Sequence, residues 1–158
     1  MGIDPGLNVT GYGLIESDGL KITLIEAGIV RSRPKGSLQS RVNEIYSGVR
    51  EVLDALNPDL MALEQLFSHY ERPRTAILMG HARGVICLAA AQHALPMVHL
   101  EPTRVKKTMT GNGRAPKHQI QAAVKLQLGL DEVPQPADVA DAIAIAICGS
   151  SSTPQLEI

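Results

Sequence analysis

The chain predicts a single α/β domain in which a five-stranded mixed sheet is flanked by helices. Three observations carry that expectation. β-forming residues dominate up to Val30, the apolar period becomes helical at Leu38, and two short apolar strands, 59–64 and 96–100, alternate with helical stretches. At 158 residues, with 44% hydrophobic and 20% charged side chains, the chain fits one globular domain with a substantial core.

The elements follow in order. Met1-Gly2-Ile3 is a short apolar start, and Asp4-Pro5-Gly6 is a turn signal. Val9 to Ile15 is rich in β formers, and Ser17-Asp18-Gly19 turns the chain into a strand from Leu20 to Val30. Pro34-Lys35-Gly36-Ser37 breaks the pattern. Leu38, Val42, Ile45, Val49, Val52, Leu53 and Leu56 then form one helical stripe, which Asn57-Pro58 stops. After the 59–64 strand and a loop from Phe67 to Pro73, a helix runs from Arg74 to Ala94. It is apolar around most of its circumference, so it is buried on more than one side, either centrally or at a subunit interface. The 96–100 strand leads to a short helix from Pro102 to Met109, the loop Thr110-Gly111-Asn112-Gly113, and helices from Lys117 to Leu128 and Pro136 to Cys148. A folded domain over 1–149 and a flexible tail over 150–158 are expected.

No apolar run reaches bilayer-spanning length, and no basic n-region precedes Gly2-Ile3-Asp4. Cys87 and Cys148 sit in apolar helical patterns without ligand spacing, which predicts buried, reduced thiols. A cytoplasmic protein with no membrane role is the expectation. The net charge of −1 does not announce a polyanionic partner. Its distribution says more, because Arg104, Lys106, Lys107, Arg114, Lys117 and Lys125 face only Glu101 between positions 101 and 125. Such a segment is either a solvated surface or a phosphate-binding face.

Four carboxylates stand inside or at the edge of apolar stretches: Asp4, Glu64, Asp138 and Asp141. An ionised carboxylate there is unfavourable unless something positive meets it, and a divalent cation is the usual partner. Asp138 and Asp141 are three apart, on one helical face. Each has a plainer explanation. Asp4 suits a turn, Glu64 an arginine pair, and Asp138 the positive end of a helix that starts at Pro136. Asp141 lies one turn deeper, where the helix terminus gives little, and all four plain explanations would have to hold together. Phe67 and Tyr70 in one polar loop beside Glu64 either stack on unpaired bases or pin the loop. Lys117 and His118 open a helix after the Gly-Asn-Gly loop, where they meet a phosphate or simply carry surface charge. His69, His81, His93 and His99 lack ligand spacing with one another.

Gly2-Ile3-Asp4-Pro5-Gly6, Thr10-Gly11-Tyr12-Gly13, Glu64-Gln65-Leu66-Phe67, Ala82-Arg83-Gly84, Gly111-Asn112-Gly113-Arg114-Ala115-Pro116-Lys117 and Ala137-Asp138-Val139-Ala140-Asp141-Ala142 resemble, in order and spacing, the RuvC-type Holliday junction resolvases. The resemblance implies an RNase H-like fold, a homodimer, and Mg²⁺-dependent cutting of four-way DNA junctions, with a branch-migration helicase complex as partner. It places the acidic catalytic and metal positions on Asp4, Glu64, Asp138 and Asp141, the base-stacking aromatic on Phe67, and basic positions near the scissile phosphate on Lys106 and Lys117. Met1 alone stands where family members usually carry several apolar residues, so a shortened first strand is expected.

The expected chemistry is cleavage by two Mg²⁺ ions per subunit, with Mn²⁺ as a substitute, leaving 5′-phosphate ends. Lys117 would offset charge on the transition state. Arg74, Arg104, Lys106, Lys107, Arg114, Lys117 and His118, with Phe67, are the expected DNA contacts. A kinase-like ATPase needs two lobes of this size, and a purely binding module leaves the carboxylates unexplained. A related nuclease acting on RNA or other branched DNA would have a similar metal site.

Overall fold

β1 (Gly2–Asp4) is the middle strand because it is apolar on both faces, with Ile3 fully buried. The computed structural model describes residues 1–66 and 73–152. β2 (Val9–Ser17) pairs antiparallel with β1, and β3 (Ile22–Arg31) pairs antiparallel with β2. β4 (Met61–Glu64) and β5 (Met97–Leu100) continue the other side in parallel, giving the order β3-β2-β1-β4-β5.

Among the described residues, five helices cover this mixed sheet. α1 (Leu38–Leu56) starts at Ser37, whose hydroxyl accepts from the Ser40 amide at 3.3 Å, and stops at Asn57 in the left-handed region with φ 42°. α2 (Pro73–Gln92) follows β4, and α3 (Pro102–Thr110) and α4 (Lys117–Leu128) follow β5. α5 (Ala137–Ser150) is last.

The sheet divides the core in two. Ile3, Met61 and Leu63 pack with Ile45, Val49 and Leu53 of α1 and Ile86 of α2. Ala62, Val98 and Leu100 face Val105, Ile120 and Val124 of α3 and α4, and Ile143 and Ile147 of α5. α5 is almost wholly enclosed: Ile143 and Ile145 are at most 1% exposed, and burial of such a side chain stabilises by roughly 1.5–3 kcal/mol. α5 reaches the sheet closely because glycines face it. A Cβ on Gly2 would stand 2.2 Å from the Ala142 carbonyl oxygen, and one on Gly13 would stand 2.8 Å from the Ile143 side chain.

Several boundaries differ from the sequence expectation by one or two residues, and the differences in α2 and α5 matter most. α2 begins at Pro73 and ends at Gln92, and only one of its sides is buried, through Ala82, Ile86, Ala89 and Ala90. The other side leaves Ile77 and Leu88 exposed at 61% and 50%. α5 continues past Cys148 to Ser150, so position 150 belongs to the helix rather than to a tail. The cause is local. Gly149 fits against Ala62, the Ser150 hydroxyl donates to the Ile147 carbonyl at 2.8 Å, and those of Ser151 and Ser152 donate to the Cys148 carbonyl, each at 3.1 Å. The rest of the expected tail, 153–158, lies outside the described residues, as does Phe67.

Candidate active site

Asp4 ends β1 and Glu64 ends β4, and these are parallel neighbours with Ile3 opposite Leu63. Both carboxylates therefore leave the same end of adjacent strands. A turn after Asp4 is braced by buried Thr10, whose hydroxyl donates to the Gly6 carbonyl at 2.8 Å and accepts from the Gly6 amide at 3.3 Å. Asp138 and Asp141 come from the first turns of α5, which lies across β1 and β2. Lys117 opens α4 and sets its ammonium 2.5 Å from Asp141 Oδ2.

Asp4, Glu64, Asp141, Lys106 and Lys117 line one cavity of about 260 Å³, with Val105, Ile120 and Ile145 supplying apolar wall. Asp4 titrates at about 7, first because burial disfavours its charge and then because Asp141, Glu64 and Asp138 repel it; Lys117 opposes the rise. Glu64 is also raised, by burial and then by Asp141, against the pull of Lys106 and Lys117. Burial raises Asp141 despite its bond to Lys117. Burial pushes the Lys117 ammonium down, yet Asp141, Asp4 and Asp138 together leave it above its usual range. These groups thus share one field. Four carboxylates meet two lysines, Lys106 and Lys117, so negative charge is in excess.

Among the described residues, no group of three or more Asp, Glu, His or Cys side chains is arranged to hold a metal ion as it stands. Lys117 supplies the local positive charge at Asp141 instead. The donor set still suits a hard divalent cation: its ligands would be carboxylate oxygens, and the raised Asp4 and Glu64 mark charge that a cation would relieve.

The family model described as "Crossover junction endodeoxyribonuclease RuvC" matches residues 1–149. The chain is 65% identical over 149 residues to the crossover junction endodeoxyribonuclease RuvC of Rhodopirellula baltica, covering 94% of this chain and 84% of that one. The chain belongs to the RuvC family. It is also 44% identical to the Desulforamulus reducens RuvC, over 94% of this chain and 90% of that one. Thermus thermophilus RuvC in complex with a Holliday junction substrate superposes with a TM-score of 0.84 at 33% identity, covering 94% and 90% of the two chains. The fold is accordingly the RNase H-like one that the resemblance implied.

The other residues singled out in the sequence fall into four groups. Lys106 joins Lys117 at the acidic cavity. Arg104 and Lys107 line a second, shallower cavity of about 420 Å³ with Thr103, Thr108 and Gly113, and Arg104 Nη2 donates to the Ser152 hydroxyl at 2.9 Å. Arg114 and His118 are exposed on the approach to α4 and its first turn. Arg74, exposed at the start of α2, lines neither cavity.

Two residues with a structural hold on the site were not assigned a role from sequence. Thr10 and Arg83 appeared only inside motifs. The available signal for Arg83 was an arginine within the apolar run of a helix, which calls for a polar partner. That partner is the Glu64 carbonyl, 3.1 Å from Arg83 Nε.

Proposed function

We propose that this chain is a structure-selective endonuclease that resolves four-way DNA junctions by paired, metal-dependent nicks leaving 5′-phosphate ends. The observation that carries the reading is the joining of Asp4, Glu64 and Asp141 with Lys106 and Lys117 around one cavity, in a chain of the RuvC family. Asp4, Glu64 and one or both of Asp138 and Asp141 would hold two Mg²⁺ ions, with Mn²⁺ as a substitute. Such ions supply an activated water and stabilise the leaving 3′-oxygen. Lys117, released from Asp141, offsets charge growing on the phosphate in the transition state. Lys106 holds the incoming phosphate at the cavity mouth. Arg104, Lys107, Arg114, His118 and Arg74 carry the flanking backbone, where contacts position the duplex without reading its sequence. Phe67 stacks on a base unpaired by the junction.

A four-way junction has approximate two-fold symmetry, so an isologous dimer sets one site on each of two strands. The exposed side of α2 supports such an interface. Ile77, Gly80, Gly84 and Leu88 recur at helical spacing on it, and a Cβ at Gly80 or Gly84 would meet nothing within 4 Å among the described residues. The family resemblance also supports a branch-migration helicase complex as the partner that delivers the junction. No helix among the described residues is long and apolar enough to cross a membrane, and the DNA substrate puts the work in the cytoplasm.

The test is a labelled mobile junction, a matched linear duplex and an RNA–DNA hybrid, each incubated with and without Mg²⁺. Symmetric, ligatable nicks in the junction alone, only with the metal, are expected. Cutting of the hybrid in preference to the junction would replace the reading with an RNA-directed one. No product at any Mg²⁺ concentration would remove the enzyme.

A further inference from the structure

Glu64 is the final residue of β4, and the β1–β4 pairing stops one residue earlier, at Leu63. Its backbone carbonyl therefore stands beyond the last β1–β4 pair. Arg83 reaches it from α2, with Nε donating at 3.1 Å. The other limb of the same guanidinium, Nη2, donates to His99 Nδ1 on β5. Guanidinium nitrogens only donate, so Nδ1 accepts and carries no proton. His99 sits opposite Leu63, one position before the Glu64–Leu100 pair. One planar fork on α2 thus clasps the ends of two strands.

The clasp lies behind the sheet. Arg83 shares α2 with Ile86, which packs on Met61 and Leu63, whereas the Glu64 side chain faces the cavity shared with α3, α4 and α5. Arg83 is absent from the lining of that cavity, and the charges that act on Glu64 are those of Asp141, Lys106 and Lys117. Its hold on Glu64 runs through the backbone.

We propose that Arg83 is a positioning residue: it fixes the backbone of Glu64, and through it the direction of the Glu64 carboxylate toward the site's metal ion. A hydrogen bond to the carbonyl at a strand end limits rotation of the peptide carrying that side chain. Supporting contacts of this kind typically alter metal affinity by about 10–100-fold. The inference rests on the metal-dependent reading of the same site.

The experiment titrates Mn²⁺ into the full chain without DNA, reading free Mn²⁺ by electron paramagnetic resonance, and measures junction cleavage against Mg²⁺ concentration. Arg83→Met keeps the length and apolar stem of the side chain but neither donor. Its Mn²⁺ dissociation constant and its half-saturating Mg²⁺ should both rise about tenfold, with the rate at saturating Mg²⁺ largely recovered. Junction affinity in Ca²⁺ should not change. Arg83→Lys, with one reachable donor, should fall between. A merely structural arginine would lower the melting temperature and leave both metal titrations at wild-type values, and that result would overturn the proposal. If Arg83→Met does not fold, Arg83→Lys carries the test, since it lacks the forked pair of donors that reaches the Glu64 carbonyl and His99 together; an unchanged Mn²⁺ titration in that variant overturns the proposal equally. Wild-type protein that binds no Mn²⁺ and cuts without Mg²⁺ would remove the metal reading first, and this inference with it.

Discussion

A Cβ on Gly11 would stand 2.1 Å from the carbonyl oxygen of Asp138. Gly11 is also the residue paired with Asp4 across the β1–β2 ladder. The backbone that carries one acidic residue therefore rests directly on the strand position beside another. This contact is what lets charge on α5 act on the end of β1.

Gly11→Ala is expected to push the start of α5 off the sheet, because the blocking atom is backbone and cannot rotate away. Overpacking of this kind destabilises by roughly 1–3 kcal/mol. Junction cleavage should fall further than stability alone accounts for, since Asp138 and Asp141 move with the helix. Denaturant unfolding and cleavage measured on the same preparation check this.

Asp4→Asn should stabilise the metal-free protein at alkaline pH. The folded Asp4 titrates at about 7 against an ordinary value of 3.8, mainly through burial and then through its acidic neighbours. A raised folded value means that the favourable balance is complete below pH 3.8 and is lost as pH rises through 7. Above that, ionised Asp4 costs about 3–5 kcal/mol, which the amide avoids. The melting temperature of the variant should exceed that of wild type by at least about 5 °C at pH 8 and match it at pH 4. Mg²⁺ should stabilise wild type and not the variant, while the variant cuts nothing and still binds the junction.

Lys117→Met should separate affinity from chemistry. The ammonium lies 2.5 Å from Asp141 and offsets charge on Asp4 and Asp138 as well. Removing it exposes the acidic groups to any added cation, so Mn²⁺ binding without DNA should tighten about tenfold. Cleavage should nevertheless collapse, because the charge meant for the phosphate is gone. Weaker Mn²⁺ binding in the variant would contradict the antagonism between Lys117 and the metal.

Gly84→Leu fills the open seam of α2 between Ile77 and Leu88, where an added Cβ meets nothing within the subunit among the described residues. The monomer should fold as before. Sedimentation at micromolar protein should show wild type as a dimer and the variant as a monomer, with single nicks replacing paired ones. A wild-type monomer would remove the α2 interface.

Much of this architecture is legible in the sequence. The stripe from Leu38 to Leu56 and the Asn57-Pro58 stop reappear as α1, because helical period and a left-handed cap are local properties. The short apolar strands reappear as β4 and β5. The end of α5 is not legible in the sequence, because serines read as tail residues until their hydroxyls satisfy the last carbonyls of a helix. The side of α2 that stays open was also invisible, since an all-round apolar helix carries no mark of which face the sheet takes.

Residue order alone determined which stretches become strands and which become helices, which acidic side chains interrupt apolar stretches, and where the basic segment lies. Those are local facts, written in period and contrast. Folding decided that Asp4 and Glu64 leave adjacent strand ends, that Lys117 pairs with Asp141, and that Arg83 holds the Glu64 carbonyl from behind. Such neighbours depend on strand order and on how closely α5 approaches Gly11, which are set by packing across the whole chain and by no single stretch of it.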